Sequence, residues 1–120
     1  ARVGWATTPV RSNDIRLYHK TTDRRIYEQA RAAALQVDDV LLWNERDELC
    51  EATIANVAVR IGDDWFTPPV ESGLLPGVER RALLESGRLR ERVIRRAAVT
   101  RDTELALLNS VRGWWPARLA

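Results

Sequence analysis

The feature that most constrains the fold is a series of short apolar segments separated by polar turns, between residues 39 and 67. Asp39–Trp43 is apolar after its first residue, which is typical of a buried strand. The polar residues Asn44–Asp47 follow, and Leu49–Glu51 resumes an extended chain. These segments predict a β-hairpin.

A second hairpin is predicted directly after the first. Its first strand contains four apolar positions, Ile54, Val57, Val59 and Ile61. Gly62–Asp64 ends that strand, Trp65–Thr67 returns, and the two prolines that follow stop further pairing. A chain of 120 residues, 45% of them hydrophobic, is long enough to bury this sheet in one domain.

Three more extended segments are predicted outside the hairpins. They are Ala1–Ala6, a strand that begins at Val93–Ile94, and the buried strand Leu105–Leu108. The last of these runs into the polar turn Asn109–Gly113, and ligand-binding groups often lie on such turns. Trp114–Pro116 begins a closing segment.

Two helices are predicted. Thr21 or Thr22 is a suitable N-cap for the first, whose apolar residues keep helical spacing: Ile26, Ala30, Ala33, Ala34 and Val37. The second covers about Val78–Ser86 and is closed by Gly87. The glycine loop Ser72–Gly77 precedes it, so the free N–H groups of its first turn indicate an anion site. Together the elements predict an α/β domain with a mixed, barrel-like curled sheet flanked by helices.

Lys20 is the residue that most strongly indicates chemistry. The chain contains eighteen arginines and this single lysine. Arginine replaces lysine as a surface charge, but it does not lose its proton to become a nucleophilic amine. A neutral amine is needed to form an imine with a carbonyl, either on a substrate or on pyridoxal phosphate. The alternative is an ordinary surface lysine, and the adjacent His19 is interpreted as a hydrogen-bonding loop residue.

Glu51 is the second candidate functional residue. It lies in an apolar strand between Cys50 and Ala52. A carboxylate in that position is costly unless a positive or hydrogen-bonding group meets it. Either Glu51 has such a partner, or it occupies an edge of the sheet and faces water.

The charge pattern favours neither nucleic acid nor a membrane as a partner. Seven arginines follow the glycine loop: Arg80, Arg81, Arg88, Arg90, Arg92, Arg95 and Arg96. Glutamates are interspersed and no aromatic residue lies among them, so a solvated charged face is predicted. No apolar run approaches membrane-spanning length. The single cysteine forms no internal disulfide, so a cytoplasmic location is expected.

Five blocks of the sequence, the second in two parts, carry a resemblance to a known family. They are Tyr18–Arg24, Asn44–Arg46 with Glu51–Asn56, Thr67–Pro69, Gly73–Arg80 and Asn109–Gly113. In this order and spacing they closely resemble the class IV (fold type IV) pyridoxal-phosphate enzymes. That family includes branched-chain and D-amino-acid aminotransferases and 4-amino-4-deoxychorismate lyase. One departure is Asp23, where many relatives carry Asn.

The resemblance implies roles for the residues around the cofactor ring. Lys20 would hold pyridoxal 5'-phosphate covalently and then move the substrate's proton. Glu51 would pair with the protonated ring nitrogen, which answers the problem of the buried carboxylate. Leu75 would pack on the ring face, and Asn56 would have a supporting role.

The resemblance also implies how the phosphate and the substrate would be held. The backbone N–H groups of Val78 and Glu79 would bind the phosphate, and Ser110 would add a hydroxyl to it. The backbone of Ser110 and Val111 would bind the substrate carboxylate. No metal ligand is implied.

The resemblance finally implies that residues 1–120 are the larger, cofactor-binding domain of a longer two-domain enzyme, a homodimer when complete. The family's small N-terminal domain, which supplies a phosphate-binding arginine, has no counterpart here. Two of the blocks look most like the lyase, which converts 4-amino-4-deoxychorismate into 4-aminobenzoate and pyruvate in folate biosynthesis. The alternatives are an aminotransferase acting on branched-chain or D-amino acids, a domain that serves only in assembly, and a nucleic-acid-binding protein.

Overall fold

The computed structural model describes residues 1–14, 17, 24–33 and 36–120. In this part of the chain, eight strands and two α-helices are found. In chain order they are β1 (Arg2–Trp5), α1 (Arg25–Ala32), β2 (Asp39–Trp43), β3 (Leu49–Ala52), β4 (Asn56–Ile61), β5 (Asp64–Thr67), α2 (Val78–Glu85), β6 (Arg90–Glu91), β7 (Leu105–Asn109) and β8 (Gly113–Leu119). The two predicted hairpins correspond to β2–β3 and β4–β5, which pair antiparallel.

All eight strands form one mixed sheet in the order β3-β2-β1-β8-β7-β4-β5-β6. β1 is parallel to both of its neighbours, β2 and β8, and β5 is parallel to β6. The other neighbours are antiparallel. β1 therefore joins the half of the sheet that contains β2 and β3 to the half that contains β8, β7, β4, β5 and β6.

The sheet curls until its two ends approach each other. The chain that follows β6 reaches β3, where the Leu49 N–H donates to the Ile94 carbonyl at 2.8 Å. Glu48 and Arg95 form an antiparallel bridge beside this bond. The prediction of a mixed, barrel-like curled sheet flanked by helices is confirmed.

Alternate residues of the central strands are buried on opposite faces of the sheet. Val57 and Val59 of β4 belong to the core cluster enclosed by the curled sheet. Ala58, between them, belongs to a separate cluster with Leu83 and Leu84 of α2. Because both faces are covered, the strands are apolar throughout rather than alternating.

The first helix covers the other half of the outer face. Tyr27 and Ile26 of α1 pack with Val40 and Leu42 of β2. The helix ends at Ala32, so it is shorter than predicted. Its N-cap is Arg24, and the predicted caps Thr21 and Thr22 lie outside the described residues. No helix in residues 24–33 or 36–120 is long and apolar enough to cross a membrane.

Two predictions about the segment that follows α2 are wrong. Val93–Ile94 does not begin a strand, because the residues that pair with β5 are Arg90 and Glu91, and the side chain of Ile94 instead fills the core. Arg80 is not part of a solvated face. It is 4% exposed, and its guanidinium donates to Glu91 at 2.5 Å and to the Pro68 carbonyl at 3.1 Å.

Candidate active site

A cavity of about 460 Å³ opens beside the end of β3. The turn after β3, the glycine loop before α2, the start of α1 and the end of β7 surround it. Four of the predicted cofactor- and substrate-binding residues line it, Glu51, Leu75, Val78 and Ser110, and Asn56, predicted to have a supporting role, lines it as well. Glu79 and Val111 are not among the lining residues, and Lys20 lies outside the described residues.

Glu51 is buried, and it has the hydrogen-bonding partner that its position requires. Its side chain is 3% exposed, so the alternative of a water-facing edge position does not hold. The Tyr27 hydroxyl donates to its Oε2 at 3.0 Å, and the Leu75 N–H donates to the same oxygen at 3.3 Å. Burial raises the pKa of Glu51 to about 8, against the lowering effect of these two donors and of Arg24. Burial of Glu51 therefore favours its neutral carboxylic acid form near pH 7.

Tyr27 is a site residue that sequence reasoning missed. Tyr27 lies on α1 and is 3% exposed. In the sequence it precedes Ala30 by three residues, which is the spacing of an ordinary core residue on a helix. Burial raises the pKa of its hydroxyl, and the nearby Glu51 raises it further. The guanidinium of Arg24 lies over its ring at 4.5 Å from the centroid. The one available signal in the sequence is a Tyr among the small apolar residues of this helix face.

A chain of hydrogen bonds anchors this group to the sheet. Arg24 donates from Nη2 to the Thr53 carbonyl at 2.9 Å. Thr53 in turn donates to Asp39 Oδ1, from its hydroxyl at 2.5 Å and from its N–H at 3.1 Å. Asp39 is buried at the start of β2. The turn between β3 and β4 is thereby tied both to β2 and to α1.

Asn56 holds the glycine loop on the opposite side of the cavity. Its Nδ2 donates to the Leu75 carbonyl at 2.8 Å, and its Oδ1 accepts from the Gly77 N–H at 3.2 Å. A Cβ at Gly77 would lie 2.6 Å from this Oδ1, so a larger residue there would push the Asn56 amide away from the loop. The approach is close because the loop and the amide are in direct contact.

The N-terminus of α2 borders the cavity. Gly77 is its N-cap and provides no side-chain cap. Within the described residues, no acceptor forms a hydrogen bond with the N–H group of Val78 or of Glu79. Free N–H groups at the positive end of a helix favour an anion.

The turn after β7 forms the remaining wall. Asn109 accepts hydrogen bonds from the N–H groups of Val111 at 3.1 Å and Arg112 at 2.7 Å, which fixes the turn. Its Nδ2 donates across the cavity mouth to the Ile54 carbonyl at 3.0 Å. Ser110 is exposed at this turn, and Val111 is 94% exposed. No group of His, Cys, Asp or Glu suited to a metal ion occurs within residues 1–14, 17, 24–33 and 36–120.

Comparison with known proteins relates the chain to one family over nearly its whole length. The model of the class IV amino-transferase family matches residues 3–120. A protein from Schizosaccharomyces pombe, provisionally named an aminodeoxychorismate lyase, is 36% identical over 101 residues. That match covers 78% of this chain and 44% of the relative.

Solved structures agree with this relationship. A protein from Mesorhizobium loti, provisionally named an amino-acid aminotransferase, superposes with a TM-score of 0.93 at 41% identity, over 99% of this chain and 59% of that protein. The 4-amino-4-deoxychorismate lyase of Pseudomonas aeruginosa shares the fold, with a TM-score of 0.83 at 22% identity, over 98% of this chain and 46% of the lyase. The chain thus spans about half the length of the proteins it matches. It belongs to the class IV aminotransferase family, whose members are pyridoxal-phosphate enzymes.

Proposed function

We propose that this chain is the cofactor-binding domain of a two-domain 4-amino-4-deoxychorismate lyase, an enzyme that releases 4-aminobenzoate and pyruvate. The observation that carries the enzymatic part of the proposal is Glu51, a buried acid that borders a cavity opposite the N-terminus of a helix. The complete enzyme is expected to be a cytoplasmic homodimer that acts on a small molecule.

The residues around the cavity fit pyridoxal phosphate. Glu51 offers a carboxyl group to the ring nitrogen, and the N–H groups of Val78 and Glu79 offer donors to the phosphate. Leu75 adds an apolar side chain to the wall of the cavity. A cavity of about 460 Å³ is also within the usual size range of cofactor sites.

When bound, pyridoxal phosphate supplies an electron sink for the charge left when a proton is removed beside the substrate's amino group. Glu51 would offer its proton to the ring nitrogen, and the Tyr27 hydroxyl and the Leu75 N–H would stabilise the carboxylate that remains. The first turn of α2 would hold the phosphate. In this proposal Lys20 would carry the cofactor and take the substrate's proton, and Ser110 would add a hydroxyl to the phosphate.

Two observations favour the lyase. The relative from S. pombe carries the name of that activity. Tyr18–Arg24 and Asn109–Gly113 also look most like the lyase. Elimination of pyruvate leaves an aromatic product, so the reaction needs no second substrate to accept the amino group.

A specific observation supports the alternative of an aminotransferase. The protein from M. loti is 41% identical over 99% of this chain, and its provisional name is that of an amino-acid aminotransferase. Both reactions use the same cofactor-binding residues, so Glu51, Val78 and Ser110 do not discriminate between them. Substrate choice is expected to depend on the part of the enzyme outside this chain.

The assignment of the cofactor can be tested by chemical trapping. The complete enzyme is incubated with pyridoxal phosphate and reduced with borohydride, and the modified residue is identified by peptide mass spectrometry. We expect the label on Lys20, and no label in a Lys20→Arg variant, which keeps the charge but not the reactive amine. A label on the N-terminal amine alone would contradict the proposal.

The reaction itself is tested separately. The lyase should release 4-aminobenzoate and pyruvate from 4-amino-4-deoxychorismate without any keto acid. An enzyme that instead transfers amino groups to 2-oxoglutarate, and leaves 4-amino-4-deoxychorismate unchanged, is the aminotransferase. In that case the lyase proposal is wrong while the cofactor assignment stands.

A further inference from the structure

We propose that Tyr27 is a positioning residue for Glu51, holding one oxygen of its carboxyl group so that the other oxygen is the one that meets the cofactor's ring nitrogen. The inference rests on the proposed function, because it assumes that this cavity receives pyridoxal phosphate. It gives Tyr27 of α1 a second role, orientation of the carboxyl group, in addition to stabilising the carboxylate.

The two oxygens of Glu51 have different surroundings. Oε2 accepts both hydrogen bonds, from the Tyr27 hydroxyl and from the Leu75 N–H. Among the described residues, none donates to Oε1. A neutral carboxylic acid with two donors on one oxygen carries its proton on the other. The acidic proton of Glu51 therefore resides on Oε1, the oxygen left for a ligand in the cavity that Glu51 lines.

Tyr27 is itself held in one orientation. Arg24 covers one face of its ring and donates a hydrogen bond to the Thr53 carbonyl. Thr53 is itself held by the hydrogen bond from its hydroxyl to Asp39. Burial raises the pKa of the Tyr27 hydroxyl, so the phenol stays protonated and remains a donor at physiological pH. A fixed donor on a buried ring gives the carboxyl of Glu51 one preferred rotation.

The same hydrogen bond also affects the proton transfer. The charged or titratable groups that act on Glu51 come from three elements: Arg24 and Tyr27 at α1, Asp39 on β2, and Cys50 on β3 itself. Tyr27 and Arg24 favour the carboxylate, whereas burial and Asp39 favour the neutral acid. Loss of the Tyr27 hydroxyl should therefore make Glu51 a weaker acid and make protonation of the ring nitrogen less favourable.

The first experiment measures this coupling without the cofactor. The complete enzyme is labelled with ¹³C at the glutamate carboxyl groups and titrated by NMR, and the Glu51 signal is identified by its absence in Glu51→Gln. Relative to the wild type, we expect Tyr27→Phe to raise the pKa of Glu51 by about 1, since a hydrogen bond to the charged form is lost. Thr67→Val is the matched control. It removes a buried hydroxyl that donates to the Val57 carbonyl at 2.7 Å, and it should leave the pKa of Glu51 unchanged.

The second experiment asks whether Tyr27 acts through the ring nitrogen. Dissociation constants are measured by fluorescence for pyridoxal phosphate and for its 1-deaza analogue, in which a C–H group replaces the ring nitrogen. Tyr27→Phe should weaken binding of pyridoxal phosphate by about tenfold and change binding of the analogue by less than about twofold. If Tyr27→Phe does not fold, Arg24→Lys, which loses the planar stack, takes its place with the same expected selectivity.

The outcomes separate this inference from the proposed function. If the wild type binds neither ligand, the proposed function fails. In that event the NMR titration still decides whether Tyr27 controls Glu51. If both ligands bind and the variant weakens both equally, Tyr27 is only a packing residue and the inference is overturned. An unchanged pKa of Glu51 in Tyr27→Phe overturns it as well.

Discussion

Replacing Glu51 with Gln is expected to remove a large pH dependence from the stability of the cofactor-free protein. Burial raises the pKa of Glu51 from an ordinary 4.5 to about 8, so between these pH values the folded protein keeps a proton that the unfolded chain releases. The stability from this proton is fully present below pH 4.5 and is lost as the pH rises through 8. Each pKa unit corresponds to 1.36 kcal/mol, so a pKa difference of about 3.5 contributes about 5 kcal/mol to the free energy of unfolding. About 3 kcal/mol of it is lost by pH 7.

Denaturant unfolding followed by tryptophan fluorescence, at several pH values from 5 to 8, measures this effect. The free energy of unfolding of the wild type should fall relative to that of Glu51→Gln as the pH rises. Both proteins retain every other titratable group, so the contributions of those groups cancel in the comparison. Glu104→Gln, which changes an exposed partner of Arg60, should follow the wild type. A constant difference between the wild type and Glu51→Gln from pH 5 to 8 would refute the reasoning, because Glu51 would then hold no additional proton when folded.

Two further substitutions test the packing around the cavity and at the closure of the sheet. Gly77→Ala should destabilise the protein by about 1–3 kcal/mol and weaken cofactor binding, since its Cβ would lie 2.6 Å from Asn56 Oδ1. Gly4→Ala is the control and should cost less, because its Cβ would have ordinary contacts of 3.6 Å; equal unfolding free energies for the two variants would contradict the reasoning. Arg96→Lys keeps the charge but loses the guanidinium that lies 3.7 Å from the Trp43 ring centroid, so the free energy of unfolding should fall by about 0.5–2 kcal/mol. An unchanged midpoint of denaturant unfolding would mean that the stacking contributes nothing to stability.

The parts of the fold that can be predicted from the sequence are those with local signals. Asp39–Trp43 and Leu105–Leu108 are apolar runs bounded by polar turns, and both are strands as predicted. Gly87 closes α2 with a φ of +81°, a conformation that favours glycine. The order of the strands has no such signal. Placing β1 between β2 and β8 depends on contacts between residues more than thirty positions apart.

The site divides in the same way. That Glu51 needs a partner follows from its apolar neighbours, but the identity of the partner does not, because Tyr27 is 24 residues away and meets it only after α1 docks on the sheet. Arg80 and Arg81 are adjacent and chemically identical, yet Arg80 is buried on Glu91 and Arg81 forms an exposed pair with Glu85. Only the orientation of α2 distinguishes them. The same limit explains the error at Val93–Ile94, since the strand pairing there involves exposed Arg90 and Glu91 rather than an apolar run.

The central place of β1 has a consequence for how the protein folds. One side of this strand can pair with β2 early, but its other partner, β8, begins at Gly113, and the Ala1 nitrogen donates to the Pro116 carbonyl 115 positions away. The chain must close this long segment, and lose the corresponding conformational entropy, before the stabilising contacts between β1 and β8 form. Folding should therefore be slow. During synthesis on the ribosome, β1 has an unpaired side until β8 has emerged, and an open strand of this kind can pair with another molecule. The yield of soluble protein should therefore depend on how quickly the β7–β8 hairpin joins β1, and it should fall at high rates of expression.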